Sequence, residues 1–277
     1  MDGYTYYGVA LMRRPGPALD QGIVTHIPRS PVDPVLAARQ YAIFQETVAS
    51  AGWRVYEVDP APDHPDSVFV EDTLVVCEGL AVVTRPGATE RRGEVAGAEA
   101  AARALGLRVE HITAPGTLEG GDVLQAGASV YVGLGGRTNA AGADQLEALL
   151  APLGRKVERV ALREVLHLKS AVTALPDGTL IGLPELVDSG ALPPLRRAPE
   201  EPGAHVLPLG GRDVLVSASA PATIHELTAE RWRVLPVDIS EFEKLEACVT
   251  CLSVLVPDLG DRGTDVPEVS SATAHGS

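Results

Sequence analysis

Cysteine is scarce in this chain: its 277 residues include only three, Cys77, Cys248 and Cys251. So few thiols in so long a chain exclude a disulfide-stapled secreted scaffold and point to a reducing cytoplasm. Positive charge is also in deficit. Lys and Arg total 23 against 37 Asp and Glu, a formal net charge of −14. A nucleic-acid binder releases counterions from phosphates through a basic stripe, so no nucleic-acid partner is expected. The balance is compatible with a small cationic substrate, although many soluble enzymes are acidic with no such partner. Long apolar runs are missing as well: no stretch approaches the roughly 18 uncharged apolar residues of a membrane span. The opening MDGYTYYGVALMRRP places no basic segment ahead of an apolar core, so no secretory signal is expected.

What is present suits an ordinary folded core, with 45% hydrophobic and 22% charged residues. The 28 Gly and 22 Pro imply many turns. Short apolar runs bounded by Gly, Pro and Asp predict strands near 7–12, 53–58, 67–76, 80–85, 107–112, 122–126, 129–133, 171–175, 179–182, 213–217, 232–236 and 250–256. The turns CEG (77–79), AGA (126–128) and PDG (176–178) join several of these into hairpins. Helical spacing predicts helices over 35–52, 91–106, 139–154 and 222–232, and a short acidic helix capped by Ser240 with Glu243. Hairpin, helix and further strand recur about every 40 to 50 residues. That order predicts an α/β array of ββαβ-like units closed into a five-bladed propeller, with a doubly wound sheet as the alternative. Residues 1–256 form one domain in this reading. The polar, Gly- and Ser-rich segment 257–277 reads as a flexible tail.

Several side chains carry chemistry. Cys251 stands at the start of an apolar run, three positions after Cys248. Such a pair holds zinc or cycles between thiol and disulfide, but no second pair exists to complete a zinc site. Two ordinary buried cysteines are the plain alternative. His167 is a lone histidine in the apolar segment EVLHLKSAVTAL, where a satisfied core histidine competes with a general acid and base for a thiol. Glu71 and Asp72 interrupt the apolar run SVFVEDTLVV, and buried acids require a cationic partner, either a ligand or an internal Arg or Lys. Glu119 and Asp122 flank Gly120-Gly121, which permit close backbone approach or positive φ. Arg85, Arg91, Arg92 and Arg137 offer forks that match a carboxylate.

Taken together, SVFVEDTLVV, TRPGATERRGEV, APGTLEGGDVL, VGLGGRTN, VLHLKS and CVTCLSVLV, in this order, closely resemble the dimethylarginine dimethylaminohydrolase (dimethylargininase) family. The likeness runs over roughly residues 5–256. It implies the pentein fold, a five-bladed α/β-propeller, and metal-free hydrolysis of methylated arginine to citrulline without a cofactor. It implies Cys251 as nucleophile, His167 as general acid and base, and Glu119 as the residue that orients His167 and contacts the guanidinium. Glu71 and Asp72 would bind the guanidinium nitrogens and Asp66 the α-amino group. Arg91 and Arg137 would clamp the α-carboxylate, with backbone atoms near Ile23 and Leu245 also touching substrate. Ala247 and Cys248 stand where relatives often carry glycine or leucine. The partner expected is a small molecule, for a monomer or homodimer. A deiminase releasing ammonia and a non-catalytic pentein binding module are the rival readings.

Overall fold

The structure is a computed structural model that describes residues 7–258. Among these residues fifteen strands form five sheets of three, each an antiparallel pair extended by a parallel third strand. The first sheet holds β1 (Gly8–Met12) and β2 (Trp53–Glu57), joined by helix α1 (Pro34–Ser50). The second holds β3 (Leu74–Cys77), β4 (Leu80–Val83) and β5 (Arg108–His111), with α2 (Val95–Ala104) as the crossover. The third holds β6 (Val123–Ala126), β7 (Ser129–Leu134) and β8 (Lys156–Ala161), crossed by α3 (Ala140–Leu150). The fourth holds β9 (Val172–Ala174), β10 (Leu180–Gly182) and β11 (Arg196–Arg197). The fifth holds β12 (Val206–Gly210), β13 (Asp213–Ser217) and β14 (Arg233–Val237), crossed by α4 (Pro221–Ala229). A short helix α5 (Ser240–Glu243) leads to β15 (Val254–Pro257), which returns to pair antiparallel with β1.

This is the expected five-bladed propeller. The antiparallel pair of each blade is largely apolar on both faces for a physical reason. Alternate residues of a strand point to opposite sides, and here each side meets a neighbouring blade. Val9 and Leu11 enter the core shared with the second blade, while Ala10 and Met12 enter the one shared with the fifth. Five such inter-blade cores replace a single central one. The centre is a channel lined by residues of β3, β6, β9, β12 and β15.

The three expected hairpins form. Glu78 and Gly79 both take positive φ, the turn whose twist matches the flanking strands. Helix α1 starts at Asp33, whose carboxylate accepts the Val35 and Leu36 amides ahead of Pro34.

Four expectations need correction. Of the anticipated strand 67–76 only 74–76 is extended, as part of β3, and Val70–Thr73 winds into a 3-10 turn. The fourth unit has no α-helix: Pro184, Gly190 and Pro193 break the segment into 3-10 turns. Ser240 does not cap α5. Its amide donates to Asp238, its hydroxyl accepts from Gln40, and Glu243 instead receives the Ser217 and Ser219 hydroxyls. Pro257, assigned to the tail, pairs with Gly8, and Asp258 donates to the Tyr7 carbonyl. The rest of the expected tail, 259–277, lies outside the described residues. Strands β8, β11 and β12 were not anticipated. Among the described residues no helix is long and apolar enough to cross a membrane.

Candidate active site

Just ahead of the first strand of each hairpin the chain makes a tight turn at the channel end of the blade. These are the 3-10 turns Val70–Thr73, Gly120–Asp122, Leu168–Ser170 and Glu201–Ala204, together with the turn over 249–252 before β15. Glu71 and Asp72 sit on the first. Glu119 and His167 immediately precede the second and third, and Cys251 lies in the last. The repeat thus brings chemical groups from four of the five blades close together, although the residues are far apart in the chain.

Close approach depends on missing side chains. A Cβ on Gly120 would lie 1.9 Å from the Glu71 carbonyl oxygen. On Gly121 it would lie 2.7 Å from His167 Nδ1 and 2.8 Å from Asp72 Oδ1. The glycine pair therefore serves proximity, and neither residue has positive φ.

Cys251, His167, Asp66, Asp72, Arg91, Arg137, Ile23 and Leu245 line one cleft, with Phe69, Leu166, Glu246 and Ala247. His167 Nε2 lies 2.7 Å from Glu119 Oε2, which leaves Nδ1 for a reacting group. The other Glu119 oxygen accepts the Gly87 amide at 3.0 Å and stands 3.6 Å from Arg137 Nη1. Asp72 takes Arg91 Nη1 at 2.6 Å and the Gly121 amide at 3.0 Å. Asp66 accepts the Ile23 amide on both oxygens. On the nucleophile turn, the Cys248 amide donates to Cys251 Sγ at 3.3 Å.

Electrostatics follow from this arrangement. Burial alone would strip the His167 proton, but Asp72, Asp122 and the bond to Glu119 outweigh it and raise its pKa to about 10. Burial opposes the Asp72 charge too, yet His167 and Arg91 bring that carboxyl down to about 2. The adjacent Cys248 sulfur, burial, and the charges of Glu71 and Asp72 push the Cys251 thiol above its usual range. Asp72, Glu119 and His167 offer ligand atoms within 4.8 Å of one another. A metal ion there would face the Arg91 guanidinium, which already supplies the positive charge.

No protein-family model matches the chain. It is 54% identical over 253 residues to the N(G),N(G)-dimethylarginine dimethylaminohydrolase of Streptomyces coelicolor, covering 91% of this chain and 98% of that one. The chain belongs to the dimethylarginine dimethylaminohydrolase family. The Pseudomonas aeruginosa enzyme of the same name is 33% identical over 249 residues, covering 88% of this chain and 97% of that protein. A structure of the Pseudomonas dimethylarginine dimethylaminohydrolase, a cysteine-to-serine mutant complexed with citrulline, superposes with a TM-score of 0.83 at 30% identity, covering 91% of this chain and all of that one. The pentein fold expected from the six sequence blocks is thereby the fold of this family member.

Two carboxylates differ from the expected placement. Glu71 does not line the cleft: its oxygens take Lys169 Nζ at 2.6 Å and the Thr250 hydroxyl at 2.8 Å, beside the central channel. The internal partner anticipated as an alternative is Lys169, and burial still raises Glu71 to about 7. Glu119 is fully buried behind His167 rather than in the cleft wall. Arg91 is largely spent on Asp72, Glu94 and the Asp66 and Phe69 carbonyls. Arg137 keeps its fork, with the Glu119 contact as its sole ion pair among the described residues. Arg85 and Arg92 bond to backbone carbonyls, outside the cleft. Sequence reasoning missed Arg13, only 1% exposed, whose guanidinium holds the Asp59, Ser67 and Glu94 carbonyls. It thereby ties β1 to the segments carrying Asp66 and Arg91. An arginine in a basic pair after a strand gives no local signal of such burial.

Proposed function

We propose that this protein hydrolyses N-omega-methylated L-arginine, asymmetric dimethylarginine and monomethylarginine, to L-citrulline and dimethylamine or methylamine. One observation carries the reading: a thiol and a histidine held in its charged form share a cleft walled by carboxylates and the Arg137 fork. Asp72 faces the planar guanidinium, Asp66 the α-amino group, and Arg137, with Arg91 beside it, the α-carboxylate. The Cys251 thiolate attacks the guanidinium carbon, forming a C–S bond. Nδ1 of His167 passes its proton to the dimethylamino nitrogen and the C–N bond breaks, leaving a thiouronium on Cys251. The neutral imidazole then takes a proton from water. Hydroxide adds to the same carbon, the C–S bond breaks, and citrulline departs.

In the free protein the Cys248 sulfur, burial and the charges of Glu71 and Asp72 favour a neutral Cys251 thiol. A bound guanidinium offsets those charges, so substrate completes the activation of its own nucleophile. Titration of the thiol with and without a product-like guanidine checks this step: the pKa falls on binding, and an unchanged value contradicts it.

The direct test of the function is incubation with asymmetric dimethylarginine, detecting citrulline and the released amine separately. Dimethylamine supports the reading. Ammonia released from arginine at a comparable rate would place the protein with the deiminases instead.

A further inference from the structure

The reaction uses one sulfur, yet the nucleophile turn carries two. Cys248 Sγ lies 3.4 Å from Cys251 Sγ, and the Cys251 amide donates to the Cys248 carbonyl at 3.1 Å. That hydrogen bond closes a four-residue turn, whose end Cα atoms lie within about 7 Å. Disulfides span Cα separations of about 4.4–6.8 Å, so the backbone already stands in range. Bringing the sulfurs to bonding distance, about 2.05 Å, requires rotation of two short side chains.

The two thiols differ in access. Cys251 lines the cleft and Cys248 does not. Cys248 is packed behind it, with Thr250 Oγ1 3.4 Å from its sulfur. The third cysteine, Cys77, lies in the core between the second and third blades and takes no part.

We propose that Cys248 is a resolving thiol: when the unliganded protein meets a peroxide, it closes a reversible disulfide with Cys251 and so stores the nucleophile in a recoverable, inactive form. The proposal rests on Cys251 being the nucleophile. Cys251 gives up its thiol proton as its sulfur attacks one peroxide oxygen: an S–O bond forms, the O–O bond breaks, and the departing hydroxide takes that proton and leaves as water. Cys248, as thiolate, then attacks the sulfenic sulfur. The S–S bond forms, the S–O bond breaks, and the oxygen departs as water. Two thiols lose two electrons and two protons, and one peroxide becomes two waters. Without Cys248 the sulfenic acid stays exposed to further peroxide and proceeds to the irreversible sulfinic acid.

The experiment treats the full chain and Cys248→Ser with hydrogen peroxide, then with dithiothreitol, reading peptide mass, free thiols and turnover. In the unmodified chain, the peptide bearing both cysteines becomes lighter by two hydrogens and two thiols vanish. Activity falls by about tenfold or more, and dithiothreitol reverses all three changes. In Cys248→Ser, Cys251 gains oxygen and its lost activity does not return. Peptide mass and thiol count need no turnover, so a failed disulfide is distinguishable from a failed assignment of the reaction. The proposal is overturned if peroxide leaves Cys248 free beside an oxygenated Cys251 in the unmodified chain. Equal recovery of activity in Cys248→Ser would also overturn it.

Discussion

His167 owes its charge to its neighbours, and pH exposes that debt. Its pKa in the folded chain, about 10, lies above the ordinary value of 6.5. The stability it contributes is therefore complete below about pH 6.5 and is lost as pH rises toward 10. Glu119→Gln removes the carboxylate bonded to Nε2 at 2.7 Å. The alkaline limb of kcat/KM should then move to lower pH and kcat should fall roughly tenfold or more. A pH–rate profile of both proteins checks this, and superimposable alkaline limbs would refute the role of Glu119. The nucleophile, the histidine and the acids were legible as residue types in apolar or glycine-rich company. Their partners were not. Whether Glu71 meets Lys169 or a ligand depends on which blade faces which, and local spacing carries no such information. Arg13 was invisible for the same reason, since its three carbonyl acceptors lie 46, 54 and 81 positions away.

The tight turns that open the hairpins are the elements that make a site from a repeat. Adjacent glycines on one of them have different duties, which substitution separates. Gly121→Ala drives a methyl group against His167 Nδ1 and Asp72 Oδ1, both side-chain atoms that can move. It should lower kcat strongly at modest cost in melting temperature. Gly120→Ala places its methyl against the Glu71 backbone carbonyl, which cannot yield. It should destabilise the fold by about 1–3 kcal/mol or more, the usual range for overpacking. Thermal melts and single-turnover rates of the two variants, side by side, test the division. Equal effects on both readouts would contradict it. At this scale the sequence revealed the hairpins through their turn residues and the helices through caps and spacing. It hid β8 behind the charged KVERVA, β12 behind Pro208, and the two-residue β11 altogether. Pro208 is tolerated because β12 is an edge strand that pairs only with β13.

Closure of the whole ring rests on the two ends of the described chain. β15 pairs with β1 from Gly8↔Pro257 to Leu11↔Val254, and Val254 and Val256 enter the core between the first and second blades. A chain ending at Asp258 keeps every pair of that ladder and should retain a cooperative melting transition. One ending at Ser253 keeps none, leaves an unpaired strand edge and an open core, and should lose its cooperative transition. The strand near 250–256 was readable from its apolar run, whereas its partner some 240 positions away was not. The family blocks supplied that closure, because they imply a ring. The same ring gathers Cys251 and His167, 84 positions apart, into one cleft. The most direct measurement of what they do there is acid quenching during turnover of asymmetric dimethylarginine, followed by mass analysis of the peptides. The account predicts that the Cys251 peptide gains the mass of the substrate less dimethylamine, and that Cys251→Ser neither gains it nor releases citrulline. Citrulline formed at an undiminished rate by Cys251→Ser would contradict it.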